Sequence, residues 1–247
     1  MPSWIETECK LLLPDAAAAR RVRDALGAGP VAVQENHFFD HRDGALAAAR
    51  IAVRLRAEGD HRWLTVKGDE LGRPGSGFSR RIELEVELTR AEFEAALAQG
   101  LELALWIPRL AAAAPRDERS PALTRLLEVL GASAQAGRLV RIDGFVNRRE
   151  RLRLERTDEH GEIAVVLELD ETRFPGGSGI GDRIDHEIEV EIDAGRLDPE
   201  RVERALRRWL RELGVEDVRP APSKLARLRA AGDRPAGHAP HPTRPRA

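Results

Sequence analysis

Six stretches of the chain place charges at every second position. Glu6 and Glu8 lead to Lys10, and Arg54 stands with Arg56. Glu83, Glu85 and Glu87 alternate, as do Arg149, Arg151 and Arg153, Glu168 and Asp170, and Asp185, Glu187, Glu189 and Glu191. Guanidinium forks match phosphate oxygens two at a time, and an ammonium supplies a point charge. Grouped carboxylates suit Mg²⁺ or Mn²⁺, hard cations that take oxygen ligands and share their shell with water and substrate phosphates. Together the two sets point to a metal-chelated polyphosphate.

A spacing of two belongs to β-strands, whose side chains point alternately to opposite faces. Between the charges lie apolar residues: Ile5, Cys9 and Leu11; Val53 and Leu55; Ile82, Leu84 and Val86; Leu152 and Leu154; Leu167 and Leu169; Ile188 and Val190. An open antiparallel sheet with one wet face would also alternate. Sorting by sign weighs against it, because acid marks the first, fifth, seventh and eighth strands and base the third and sixth. Crowded like charges repel, and crowded carboxylates take up protons unless compensated. Closing the strands into a barrel with the ionic face inward supplies compensation across the lumen and leaves an apolar outside for helices.

Eight strands are predicted, over residues 5–11, 33–40, 51–57, 62–68, 80–88, 138–156, 163–172 and 183–192. Helices are expected after Pro14-Asp15, with Val22, Ala25 and Leu26 on one stripe; after the Thr89–Glu92 capping box; from Ser120-Pro121 to a stop at Gly131; and after Asp198-Pro199, with Val202, Leu206, Trp209, Leu210 and Leu213 inward. Residues 99–119 read as irregular with a short helix at most. The glycine-rich run from Pro175 to Gly181 lacks the Lys-Ser/Thr ending and following helix of a phosphate loop and reads as a turn.

Forty Lys plus Arg against 42 Asp plus Glu leave a net charge of -2, so no global field marks a nucleic-acid or membrane-surface binder. One cysteine, Cys9, excludes an internal disulfide and suits a reducing cytoplasm; it should face the apolar side as a small hydrophobe. No apolar run is long enough to cross a bilayer, and the N-terminus has no signal-peptide pattern. His37 and His41 lack further ligands nearby and read as structural.

Glu6-Thr7-Glu8-Cys9-Lys10 has the Glu-x-Glu-x-Lys form that marks the CYTH superfamily of triphosphate tunnel metalloenzymes, and the chain resembles that family in order through Arg54-Leu55-Arg56, Lys67, Glu83-Leu84-Glu85, Arg149, Glu168-Leu169-Asp170, Glu187-Ile188-Glu189 and Lys224. The resemblance covers roughly residues 5–228. It implies an α+β fold with a closed eight-stranded antiparallel barrel, charged inside and helix-covered outside. A tunnel domain is expected over residues 1–231 and a disordered Pro/His/Arg-rich tail over 232–247. It implies Mg²⁺ or Mn²⁺ as cofactor, held by Glu6, Glu8, Glu168, Asp170, Glu187 and Glu189. Phosphate would be gripped by Lys10, Arg54, Arg56, Lys67, Arg149, Arg151 and Lys224, with Arg153 as a possible extra. Lys67, Glu83 and Glu85 are the expected catalytic groups. The implied activity is metal-dependent triphosphate hydrolysis, foremost of inorganic triphosphate, with Ser223-Lys224 resembling the bacterial inorganic triphosphatases. Thiamine or nucleoside triphosphatase, adenylate cyclase and a non-catalytic polyphosphate-binding module are the alternatives. The expected partner is a small triphosphate, not nucleic acid or membrane; oligomeric state is not legible. Phe38-Phe39 stand where the family commonly has Tyr-Phe, which removes any phenolic role.

Overall fold

A computed structural model describes residues 5–71, 78–114, 120–176 and 182–232. Residues 233–247 of the expected tail, residues 72–77 of the loop and residues 177–181 of the glycine-rich run lie outside the described residues, while Gly232 closes a helix.

The eight expected strands are present: β1 (Ile5–Leu13), β2 (Val31–Asp40), β3 (Ala52–Glu58), β4 (His61–Glu70), β5 (Phe78–Glu87), β6 (Val140–Asp158), β7 (Gly161–Phe174) and β8 (Arg183–Glu191). They hydrogen-bond antiparallel in the order β5-β4-β3-β2-β6-β7-β8-β1, and β1 returns to β5, with Ile5 opposite Ile82 and Cys9 opposite Phe78, closing the barrel. A two-residue strand, β9 (Arg219–Pro220), pairs with β1 outside the eight. Alternation fixes which side each residue takes, and the apolar set goes outward.

Two helical layers cover that outside. In the first, α3 (Arg90–Gln99), α4 (Leu103–Ala113) and α5 (Pro121–Ala136) bury Phe93, Trp106, Leu110, Leu123, Leu126 and Leu130 against Val53, Leu55, Leu64, Val66, Ile82 and Leu84. In the second, α1 (Ala16–Leu26) and α6 (Pro199–Glu212) bury Val22, Val202, Leu206, Trp209 and Leu210 against Cys9, Leu11, Leu167, Leu169, Ile188 and Val190. A fully buried side chain of this size contributes about 1.5–3 kcal/mol, so the grease that stabilises the fold lies outside the barrel wall. A single turn, α2 (Ala45–Ala48), and α7 (Lys224–Gly232) lie near one end of the lumen.

Caps appear where the sequence places them. The Asp15 carboxylate accepts from the Ala18 amide at 2.8 Å, Thr89 and Glu92 close a reciprocal box, and Ser120 and Asp198 precede helices that begin with proline. Three expectations need correction. Ala25 is exposed, and the buried stripe of α1 is Ala18, Ala19 and Val22. Residues 103–113 are helical despite Pro108, which sits on the exposed side where the Ala104 carbonyl it deprives of a partner can meet water. Helix α5 runs through Gly131 to Ala136, with buried Ser133 placing its hydroxyl 2.7 Å from His41 Nε2. Among the described residues no helix is long and apolar enough to cross a membrane.

Candidate active site

The inward faces enclose a cavity of about 910 Å³, within the range of small-ligand sites. Lys10, Arg54, Arg56, Lys67, Arg149, Arg151, Lys224, Glu6, Glu8, Glu83, Glu85, Glu168 and Glu189 all line it; Asp170 and Glu187 are fully buried just beneath Lys224. Thus the residues singled out from the sequence for the site are gathered around one space, except Arg153, which is exposed and pairs with Glu155. The arrangement inside is less uniform than their order along the chain suggests.

One end is an acidic cluster. Asp170, Glu187 and Glu189 offer carboxylate oxygens all within 4.8 Å of one another. Register forces this: β7 and β8 set Asp170 directly opposite Glu187 and Glu168 opposite Glu189. Like charges so placed repel, and three cations offset them. Lys224 Nζ lies 2.9 Å from Asp170, 2.7 Å from Glu189 and against Glu187. Arg149 forks onto Asp170 at 2.8 and 2.6 Å and also touches Glu168 and Glu189. Arg227, itself buried, reaches Asp185 at 2.7 Å and Glu187.

Burial works against every charge in this cluster, and the outcome differs by residue. It raises the Glu187 and Glu168 pKa values despite Lys224 and Arg149 beside them. At Asp170 and Glu189 the cations win and hold both carboxyls below their usual range: Lys224 and Arg149 at Asp170, and Lys10, Lys224 and Arg149 at Glu189. Burial likewise opposes protonation of Lys224, but the three carboxylates outweigh it and push its pKa up.

The second cluster lies across β1 and β5. Lys67 Nζ bridges Glu6 at 2.9 Å and Glu83 at 2.7 Å. Arg81 touches Glu6 at 3.3 Å and Glu8, whose carboxylate also accepts from Ser79 Oγ at 2.9 Å. Lys10 links the two clusters, 3.0 Å from both Glu8 and Glu189. Burial opposes ionisation of Glu83, yet Lys67 and its other partners bring its pKa down to about 2. Burial raises the Glu191 pKa, and neighbouring Glu6, Glu168, Glu83 and Glu8 add to the rise.

Arg54 and Arg56 differ from the other inward cations. Arg56 bonds Glu85 at 3.1 Å and stacks 4.7 Å over Trp63, while among the described residues Arg54 has Thr65 at 3.5 Å and Glu83 at 3.9 Å. Both Nε–H groups are buried without a hydrogen-bond partner among the described residues. Burial and the like charge of Arg56 lower the Arg54 pKa. An under-compensated guanidinium such as Arg54, with Arg56 beside it, is a place for an anion.

Arg81, Glu191 and Arg227 were not singled out from the sequence. Arg81 and Glu191 share the alternation of their strands, and that was the available signal. Arg227 lies on α7, one turn after Lys224, and only the packing of α7 shows that it enters the barrel. Cys9 is fully buried in the outer apolar layer; burial pushes its thiol up to about 12.

The acidic cluster fits a hard divalent cation: its donors are all oxygens, and the Lys224 ammonium already stands amid them as a cation supplied by the protein. A family model described as the CYTH domain matches residues 4–223. No curated protein sequence matches the chain. Among solved structures, the Hippeastrum protein HpAC1, described as having a dominant triphosphatase activity, is 28% identical, with a TM-score of 0.66, covering 91% of this chain and 95% of its own. A Bacillus halodurans protein is 21% identical, with a TM-score of 0.56, covering 92% of this chain and 99% of its own, and shows the same fold.

Proposed function

Given that the chain belongs to the CYTH domain family, we propose that it is a divalent-metal-dependent triphosphatase that cleaves the terminal anhydride of a triphosphate, with inorganic triphosphate the simplest substrate. The observation that carries this reading is that Arg54 and Arg56, whose buried Nε–H groups have no hydrogen-bond partner among the described residues, line the same cavity as Glu189 of the three-carboxylate cluster. An anion-binding module alone would gain nothing from so many buried carboxylates. The triphosphatase activity described for the Hippeastrum protein agrees with the reading.

Phosphoryl transfer demands alignment and charge neutralisation more than covalent chemistry. Arg54 and Arg56 donate to phosphate oxygens, and Lys10, Lys67, Arg149, Arg151 and Lys224 complete a basic ring. Asp170, Glu187 and Glu189 would hold Mg²⁺ or Mn²⁺, with Glu6, Glu8 and Glu168 nearby. When bound, the metal supplies Lewis-acid neutralisation of phosphate charge. Lys224 must then release those carboxylates, which frees its ammonium for phosphate. Glu83, held ionised by Lys67, is a weak proton acceptor; its part is to keep Lys67 turned to the lumen, and Glu85 does the same for Arg56. The apolar setting of Cys9 is compatible with a reducing cytoplasm.

A phosphate-release assay on inorganic triphosphate, ATP and thiamine triphosphate, each with Mg²⁺, Mn²⁺ or chelator, tests the proposal. Metal-dependent orthophosphate release is expected; none from any substrate overturns it. Cyclic nucleotide with pyrophosphate from ATP would favour a cyclase instead.

A further inference from the structure

Helix α7 sends two cations into the barrel from consecutive turns, and they are held differently. Lys224 stands among Asp170, Glu187 and Glu189, with its ammonium in the space that suits a divalent cation. Arg227, only 4% exposed, uses all three of its nitrogens. Nε donates to the Pro222 carbonyl at 3.2 Å, Nη1 to Asp185 Oδ2 at 2.7 Å and Nη2 to Glu187 Oε2. Its guanidinium also lies 5.4 Å from the ring of Phe174.

Asp185 and Glu187 are alternate residues of β8, so their backbones are about 6.5–7 Å apart along the strand. A planar fork reaches both carboxylates, which a single ammonium does not. Asp185 is committed to arginines, because Arg183 also donates to both of its oxygens at 2.7 Å. It therefore stays out of the three-carboxylate cluster although it shares the alternation of Glu187, Glu189 and Glu191. Glu187 is divided by the same fork. Arg227 holds Oε2, while Oε1 lies against Lys224 and carries no hydrogen bond among the described residues. Lys224 already faces the charge of this carboxylate, so what Arg227 adds is direction.

We propose that Arg227 is a positioning residue for the metal site. It keeps Glu187 Oε1 aimed at the space shared with Asp170 and Glu189, and it stays on Oε2 when a divalent cation displaces Lys224. This rests on the metal-dependent reading above. Lys224 is the exchangeable cation of α7 and Arg227 the fixed one. A metal can then enter without undocking the helix, which Leu225 and Leu228 also hold against Phe38, Phe145 and Phe174.

Arg227→Lys keeps the charge and loses the fork, which matters because removing a nearby positive charge would by itself strengthen cation binding. Mn²⁺ alone, without substrate, is titrated into each protein by calorimetry. Arg227→Lys is expected to bind it about 10–100-fold more weakly than the unaltered protein, the usual worth of a group that orients a metal ligand. Arg229→Met is the control for a loosened helix. Arg229 lies on α7, is exposed and reaches Asp40 at 3.5 Å rather than the cluster, so its loss should leave Mn²⁺ affinity unchanged. If Arg227→Lys does not fold, Asp185→Ala, which removes the other anchor of the fork, carries the same comparison. Unchanged affinity in the folded variant, or an equal loss in Arg229→Met, overturns the positioning role and leaves the metal reading standing. No Mn²⁺ binding by the unaltered protein overturns both.

Discussion

Replacing Lys224 with methionine isolates the electrostatics of the acidic cluster. Methionine keeps most of the side chain's bulk and removes its charge. Lys224 is about one-tenth exposed and touches Asp170, Glu187 and Glu189, themselves almost wholly buried. Removing one partner of a buried ion pair costs about 3–5 kcal/mol. Arg149 remains on Asp170 and Glu189, and Arg227 on Glu187, so the lower end, about 3 kcal/mol, is expected. For a chain of this size that is a drop in Tm of about 6–12 °C. The lost charge is one a divalent cation can replace. At 100 times its Kd such a cation returns about 2.7 kcal/mol. Urea denaturation of both proteins, in chelator and across a Mg²⁺ series, reads this directly. The variant should be weaker in chelator and gain more from Mg²⁺ than the unaltered protein, in which Lys224 competes for the carboxylates. Equal stability in chelator, or equal Mg²⁺ gains, would show that Lys224 does not stand in for a metal.

Three further outcomes follow from the same geometry. Arg54→Met should weaken triphosphate binding by about 10–100-fold, the worth of a charged hydrogen bond, while changing stability by less than about 1 kcal/mol, because Arg54 is buried with little compensation; titration calorimetry and urea denaturation separate the two, and unchanged affinity would contradict the phosphate role. The Glu83 carboxyl, depressed from 4.5 to about 2, contributes stability that is full above pH 4.5 and lost as pH falls towards 2, about 3 kcal/mol in all; Glu83→Gln should flatten that part of the stability–pH curve, and an unaltered slope would refute the assignment. Cys9, buried and with its thiol near 12, should resist a disulfide reagent at pH 8 until the protein is denatured, so rapid labelling of the native protein would contradict its placement.

Much of this architecture was legible before any coordinates, and the reason is specific. Period-two sorting of acid and base is a local signal, so β1, β3, β5, β7 and β8 could be assigned to strands and their charged sides grouped. Long-range register is not local. Nothing along the chain shows that Lys224 would stand among Asp170, Glu187 and Glu189, or that Arg149 would be spent on carboxylates while Arg54 is left under-compensated. These depend on how β6, β7, β8 and α7 meet. Helix α4 was obscured by Pro108, whose cost is eased because that turn faces water, and Ser133, beyond Gly131 in α5, meets the distant partner His41.

Closure of the barrel has a consequence for the life of the chain during synthesis. The fully buried side chains of the first apolar layer come from residues 39–139, whereas those of the second join residues 9–22 to residues 152–215. Strand β1 pairs with β8 through Glu8 opposite Glu191 and Leu13 opposite His186, so in a chain made from its N-terminus that edge stays open until almost all of it has emerged. An open strand edge is where unfinished chains associate with one another, and charged side chains discourage that. Glu6, Glu8 and Lys10 therefore serve twice: as gatekeepers against premature edge-to-edge pairing while β1 waits, and as the lining of the lumen once β8 arrives.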